Sequence, residues 1–230
     1  MEQLVSYKLE DGVATITMDD GKANALSTAM WEQLGAAFDQ AQEAGAIVIL
    51  TGRQGVFSGG FDLKEMAQGP EQAIQLTARG SKMARRILSF PTPVIGVASG
   101  HCIAMGAFLM LACDYRIALA GDFKVGLNET MIGMTMHRFG IELARHRLPA
   151  NYFNRCVINA EIFSAENAIN AGFYDCAVAP KQLQRKVDEV VSTFGQLNMK
   201  AFNGTKNKSR KDFLALVDRC IEDDLEISLV

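Results

Sequence analysis

Residues 47–50 read Ile-Val-Ile-Leu and run directly into Thr51-Gly52. A short apolar run without polar alternation marks a strand buried on both faces, as in a parallel sheet covered by helices on either side. Pro93-Val94-Ile95-Gly96-Val97 repeats the pattern, and after an Ala98-Ser99-Gly100 turn residues 105–112 read as an all-apolar helix. Residues 5–9 and 13–18 alternate about an Asp11-Gly12 hairpin turn. Ser27 or Thr28 caps a helix carrying Met30, Leu34, Phe38 and Ala41 on one face, and Pro70 opens another that runs to about Phe90. Residues 115–119, 122–125 and 176–178 read as further strands, and from Ala165 onward the pattern is mostly helical. Strands alternate with helices and strand pairs recur before a helix, so the class is α/β on a coiled rather than a strictly doubly wound path.

A chain of 230 residues that is 49% hydrophobic is long enough for one sizeable core and too apolar for disorder. No Pro-, Gly- or Ser-rich linker divides it. Residues 1–180 read as the core and 181–230 as a helical C-terminal region of the same domain. Lys+Arg at 23 against Asp+Glu at 26 gives a net charge of −3, without the basic excess of a nucleic-acid binder. No stretch approaches the ~18 apolar residues of a membrane span. The first residues lack the basic and apolar regions of a secretory leader, and the last four, Ile-Ser-Leu-Val, match no peroxisomal or retention signal. Five cysteines (102, 113, 156, 176 and 220), odd in number and without C-x-x-C spacing, read as reduced small hydrophobes in a cytoplasmic protein.

Three histidines (101, 137 and 146) lack H-x-x-x-H or H-E-x-x-H spacing, so no metal site is expected, and His146 between Arg145 and Arg147 reads as part of a solvated helix face. G-x-S-x-G, P-loop and dinucleotide fingerprints are absent. Two glycine-bearing turns, 58–62 and 100–106, each feed a helix. Their orphan amides either converge on a developing oxyanion or the glycines simply shape tight turns. Asp62 and Glu65 have the spacing of a helix-start capping pair. Glu129 stands alone among Leu127, Met131, Ile132 and Met134. Buried there it is a general base with a raised pKa; exposed, it is a surface glutamate opening a short helix with Asn128 as cap.

Phe57-Ser58-Gly59-Gly60-Phe61-Asp62-Leu63-Lys64-Glu65-Met66, the segment from Gly100 to Asp114, and Gly126-Leu127-Asn128-Glu129-Thr130 with Gly133 together resemble the crotonase (enoyl-CoA hydratase/isomerase) superfamily. The similarity runs in order over roughly residues 5–180 and more loosely to about 210. Cys113-Asp114-Tyr115-Arg116-Ile117, with Gly-Leu-Asn-Glu-Thr, is most similar to the Δ3-Δ2-enoyl-CoA isomerase branch. The resemblance implies a crotonase-like spiral of ββα repeats with a helical C-terminal oligomerisation region. It also implies a homotrimer or a dimer of trimers, and an acyl-CoA thioester substrate with no separate cofactor, metal, nucleic acid or membrane. The family's two oxyanion amides map to Phe61 and Met105. Its substrate wall maps to Lys22, Ala23, Ala25, Gly59, Gly60, Phe61, Asp62, Leu63 and Met105, with the backbone of Asn24 beside them.

Of the hydratases' two glutamates, the second maps to Glu129 and the first falls on Phe108. Hydration needs one group to activate water and another to manage the second proton; double-bond migration needs one base that removes a proton from C2 and returns it at C4. The resemblance therefore implies an isomerase. The alternatives are a hydratase or other crotonase-type enzyme drawing its acid from Asp62, Glu65 or Glu142, and a catalytically weak acyl-CoA-binding member. Met105 and Phe61 replace residues that are commonly glycine and often alanine in the family, and His137-Arg138 occupy a usually glycine-rich turn. Lys200, Lys206, Lys208, Arg210 and Lys211 read either as a solvated helix face or as a clamp for the CoA phosphates, with Lys22 as a second phosphate group.

Overall fold

A computed structural model describes residues 2–226. Met1 and residues 227–230, which include the C-terminal tetrapeptide and the end of the expected helical region, lie outside the described residues. The chain runs β1 (Val5–Glu10), β2 (Val13–Met18), β3 (Ala25–Leu26), α1 (Thr28–Glu43), β4 (Ile47–Gly52), β5 (Gly55–Ser58), β6 (Gly60–Phe61), α2 (Leu63–Met66) and α3 (Pro70–Leu88). It continues through β7 (Val94–Ala98), β8 (Gly100–Ile103), α4 (Met105–Ala112), β9 (Tyr115–Leu119), β10 (Lys124–Gly126), α5 (Arg138–Arg147), α6 (Ala150–Val157), β11 (Phe163–Ser164), α7 (Asn167–Asn170) and β12 (Cys176–Val178). Three helices follow: α8 (Leu183–Gly195), α9 (Met199–Ser209) and α10 (Lys211–Glu226).

The strands form a six-stranded sheet in the order β1-β2-β4-β7-β9-β12, a four-stranded sheet β11-β10-β8-β5 and the pair β3-β6. In the large sheet only β1 is antiparallel to its neighbour. Each turn of the chain lays one strand in the large sheet, one in the second sheet, and then a helix: β4-β5-α3, β7-β8-α4, β9-β10-α5. This is the coiled α/β path the strand pairs imply.

The unbroken run at 47–50 is explained by two cores. Val48 and Leu50 point into the main core with Leu34 and Phe38 of α1, Ile87 of α3 and Leu109 of α4. Ile47 and Ile49 point the other way, with Ile95 and Val97 of β7, against Val187 and Val190 of α8. The period of two is present, but both faces are apolar because both are covered.

Two local readings change. Gly100 opens strand β8 rather than closing a turn, pairing with Gly55 of β5, and the turn read at 58–62 falls on the end of β5 and on the short strand β6. Glycine left no side-chain alternation from which to read them. Asp62 accepts from the amides of Lys64 and Glu65 at the start of α2 (2.8 and 3.2 Å). Glu65, however, does not return to Asp62; its carboxylate accepts from the amide and hydroxyl of Thr28 (3.0 and 2.9 Å), tying α2 to the start of α1. The pair is half a capping box, its second half used for tertiary contact. Among the described residues no helix is long and apolar enough to cross a membrane.

Candidate active site

The β3-β6 pair brings residues 22–26 against residues 59–62, in register Ala25 to Gly60 and Leu26 to Phe61. Asn24 holds this corner from within. Fully buried and in a left-handed conformation (φ 50°), it donates through Nδ2 to the carbonyls of Met18 and Phe57 (2.8 and 3.1 Å). Its own carbonyl accepts from the Ser58 hydroxyl (2.8 Å). Asp20 accepts from the amides of Lys22, Asn24 and Ala25. Burial pushes its carboxyl up, but those amides and the Arg53 charge together hold it below its ordinary value.

Gly60 is where the two turns meet. Its backbone has φ +97°, and a β-carbon there would lie 2.8 Å from that of Ala104 and 3.6 Å from the Met105 amide nitrogen. Met105 is the first residue of α4, so its N–H has no acceptor within the helix. Its side chain is fully buried and turns to α3. There Gly80 leaves a gap in which a β-carbon would sit 2.9 Å from the Phe61 ring and 3.1 Å from the Met105 sulfur. The missing side chain of Gly80 therefore accommodates both bulky residues, leaving their backbones at the turn.

A cavity of about 560 Å³ opens beside this corner. Lys22, Ala23, Ala25, Gly59, Gly60, Phe61, Asp62, Leu63 and Glu129 all line it. The Met105 side chain does not, and Phe108, fully buried in α4, stays in the core. Glu129 is 6% exposed, at the head of a 3-10 turn spanning Thr130–Ile132. Its Oε2 has no hydrogen-bond partner, and burial pushes its carboxyl up to about 7. It is thus buried and not the surface glutamate of the other reading. Asn128 does not cap the turn: its Oδ1 is also without a partner.

The alternative acids are occupied elsewhere. Asp62 caps α2, Glu65 is bound to Thr28, and Glu142 faces Arg145 across an exposed pair at 3.3 Å. The basic C-terminal cluster also divides. Lys206 is buried, its ammonium 2.6 Å from Asp114, and Arg210 donates to the other oxygen of Asp114 and to the carbonyl of Leu88. Burial pulls the Lys206 ammonium down against the opposing Asp114 charge. These two cations hold the scaffold and are not a free phosphate clamp, a distinction that spacing in the sequence does not carry. His146 is not simply solvated either: it stacks on Phe213 of α10 with ring centres 3.8 Å apart.

Thr77 and Thr135 line the cavity without a sequence signal of their own, and Lys64, Ile132, Met134 and His137 line it as well. His137 is 4% exposed, its Nε2 has no partner, and burial pushes its imidazole down to about 4 despite the Asp224 charge. Its only trace in the sequence is that it stands in the turn that is usually glycine-rich in the family it resembles.

Residues 8–217 match the family model for enoyl-CoA hydratase/isomerase. A solved enoyl-CoA hydratase/isomerase family protein from Pseudomonas syringae is 51% identical, each chain covering 98% of the other, with a TM-score of 0.97. A Mycobacterium tuberculosis protein, described in one structure as an apo enoyl-CoA isomerase and in another as a probable enoyl-CoA hydratase, is 38% identical, the match to the first structure covering 97% of this chain and 98% of that one with a TM-score of 0.92. A probable enoyl-CoA hydratase of Bacillus subtilis is 36% identical over 134 residues, 56% of this chain and 52% of the relative, so the match spans about half that relative's length.

Proposed function

The chain belongs to the enoyl-CoA hydratase/isomerase family, the crotonase superfamily, and from that premise we propose that it is a Δ3-Δ2-enoyl-CoA isomerase acting through the single carboxylate of Glu129. One observation carries the choice. Of the carboxylates lining the cavity, Glu129 is the one with a buried oxygen left unbonded, while Asp20 and Asp62 are bound to backbone amides. By the resemblance, the hydratases' first glutamate falls on Phe108, a fully buried side chain that transfers no proton.

In the proposed reaction the thioester oxygen lies between the amides of Phe61 and Met105. Glu129 takes a proton from C2, the electron pair moves into the thioester oxygen, and the resulting dienolate is reprotonated at C4 by the same carboxyl. A base whose pKa lies near 7 is matched to a proton that it must first take and then return. The amides contribute most when charge reaches the oxygen, where loss of one such donor typically costs ~3–4 kcal/mol. The exposed cations Lys22 and Lys64 at the cavity edge face the CoA phosphates. We read the assembly as a homotrimer or a dimer of trimers, and the protein as working in the cytoplasm without a separate cofactor.

The test is conversion of a 3-enoyl-CoA to its 2-enoyl isomer by Glu129→Gln. A general base is worth about 10²–10⁴-fold, and turnover should fall by at least that lower bound. Near-wild-type turnover of the variant would overturn the assignment.

A further inference from the structure

Glu129 sits on the segment that joins β10 to α5, residues 127–137, and the two ends of that segment are held by different parts of the chain. At the first end the carbonyl of Gly126 accepts from the amide of Ala104 at 2.9 Å, and Gly126 pairs with Ile103 of β8. Ala104 directly precedes Met105, so this end is tied to the turn that carries one of the two amides. The second end is tied to α10. Helix α5 opens at Arg138, and its first amides have no acceptor within the helix. Among the described residues the His137 side chain, at the cap position, makes no cap hydrogen bond. Asp224 of α10 supplies the cap instead. Its buried carboxylate accepts from the amide of Arg138 with one oxygen and from that of Phe139 with the other, at 2.7 and 2.9 Å. A negative charge is favoured there by the helix dipole. Helix α10 is itself held on α3, where Arg85 donates to both oxygens of Asp218 at 2.7 and 2.9 Å. From the cap a short path runs back to the base: His137 and Met136 are buried, and the amide of Met134 donates to the carbonyl of Glu129 at 2.9 Å.

We infer that Asp224, which does not line the cavity, is a positioning residue for Glu129. By capping α5 it fixes the second end of the segment, and with it the place of the Glu129 carboxyl relative to the two amides. The inference rests on the proposed role of Glu129 and adds to it a group on the C-terminal helix. Without the cap, the first turn of α5 and the buried residues before it lose their anchor, and the segment stays pinned at Gly126 alone.

The experiment follows isomerisation of 3-hexenoyl-CoA against pH in the wild type, Asp224→Ala, Asp224→Asn and Asp223→Ala. Asp224→Ala should lower kcat by about 10- to 100-fold with KM little changed, the scale on which a ~1 Å misplacement acts. Its pH midpoint should fall from near 7 to about 6 or lower, because a loosened segment admits water to the carboxylate and favours the charged form. Asp224→Asn should stay within about fivefold of the wild-type kcat and keep its midpoint, since Asn caps helices about as well as Asp. Both variants remove the charge that acts on His137, so the difference between them reports the cap. The other titratable groups of the cavity, Glu2, Asp20, Lys22, Asp62 and Lys64, are the same in all four proteins. Asp223→Ala, which removes only the exposed partner of Arg138, should match the wild type. A wild-type kcat and midpoint in Asp224→Ala, or equal losses in the Ala and Asn variants, overturn the inference and leave the isomerase reading standing. If the wild type does not isomerise, the proposed function fails. The infrared titration of the Glu129 carboxyl, identified by its absence in Glu129→Gln, then decides the positioning role by the same shift in midpoint.

Discussion

Two buried carboxylates follow α4 along the chain, and the fold treats them in opposite ways. Asp114, just after the helix, receives the Lys206 ammonium at 2.6 Å and the Arg210 guanidinium at 3.1 Å, and also accepts from the amide of Val94 at 2.9 Å. Glu129 has no cation beside it and one oxygen with no partner at all. Both burials are costly in isolation, and only the first is compensated within the chain. The pairing at Asp114 joins β7, the end of α4 and α9, far along the sequence, and so serves the scaffold. The missing pairing at Glu129 leaves a group whose proton affinity is raised and whose partner must come from outside.

The largest effect should follow from breaking the compensated side. Asp114→Ala leaves Lys206 buried with no counter-charge, the situation that typically costs ~3–5 kcal/mol. At about 2–4 °C per kcal/mol for a chain of this size, thermal melting should show a Tm lower by roughly 6–20 °C. Lys206→Ala should give a smaller loss, because Arg210 still faces Asp114. A Tm within 2 °C of wild type for Asp114→Ala, on the same scale, would show that the pair is not structural.

The uncompensated side should respond with the opposite sign. A carboxyl raised from 4.5 to about 7 in the folded state binds its proton more tightly when folded. The stability it contributes is complete below about 4.5 and is lost as pH rises to about 7. At ~1.4 kcal/mol for each tenfold change in proton affinity, ionising Glu129 costs about 3 kcal/mol. Glu129→Gln, which does not ionise, should therefore melt higher than the wild type at pH 8 and lose that advantage toward pH 4.5. Wild-type isomerisation should rise through a midpoint near pH 7, since the base must be ionised to take the first proton. Equal Tm values at pH 8 would mean that Glu129 ionises freely in the folded protein.

The contrast between these two acids was only half legible in the sequence. The strands at 47–50 and 94–97, the hairpin and the main helices follow from local periodicity, because each reports on its own faces. Glu129 stood out by its apolar neighbours, yet those neighbours fitted a buried or an exposed glutamate equally well; burial is a tertiary fact. Lys206 and Arg210 looked like part of a charged helix face because their partner, Asp114, lies more than ninety residues away. His137 was the least legible of all. A lone histidine between Met136 and Arg138 says nothing about a cavity wall, and only the packing of Phe108, Phe139 and Gly140 around it gives it a fixed place.

A smaller effect tests whether the scaffold also sets the geometry of the two amides. Gly80 lies in α3, where alanine is favoured over glycine by up to ~1 kcal/mol. The added carbon would press on the Phe61 ring and the Met105 sulfur, and overpacking of that kind costs about 1–3 kcal/mol. Gly80→Ala should thus lower Tm by up to about 12 °C on the scale above, while kcat falls several-fold as the turns carrying the amides shift. Unchanged kcat with lower Tm would place the strain entirely in the core.

The smallest effect separates surface charge from buried charge. Lys22 is exposed at the cavity edge, while Arg53 is engaged below it, donating through Nε to the Lys22 carbonyl at 2.8 Å. An exposed cation facing a phosphate contributes at most about 1 kcal/mol and is screened by salt. Lys22→Ala should therefore raise KM for an acyl-CoA by no more than about fivefold, with kcat and Tm unchanged, and the difference should shrink at 0.5 M NaCl. Lys206→Ala should behave in reverse, lowering Tm with KM unchanged. If Lys206→Ala instead raises KM without loss of stability, the buried ammonium reaches substrate after all, and the division of this protein's charges into scaffold and site is drawn in the wrong place.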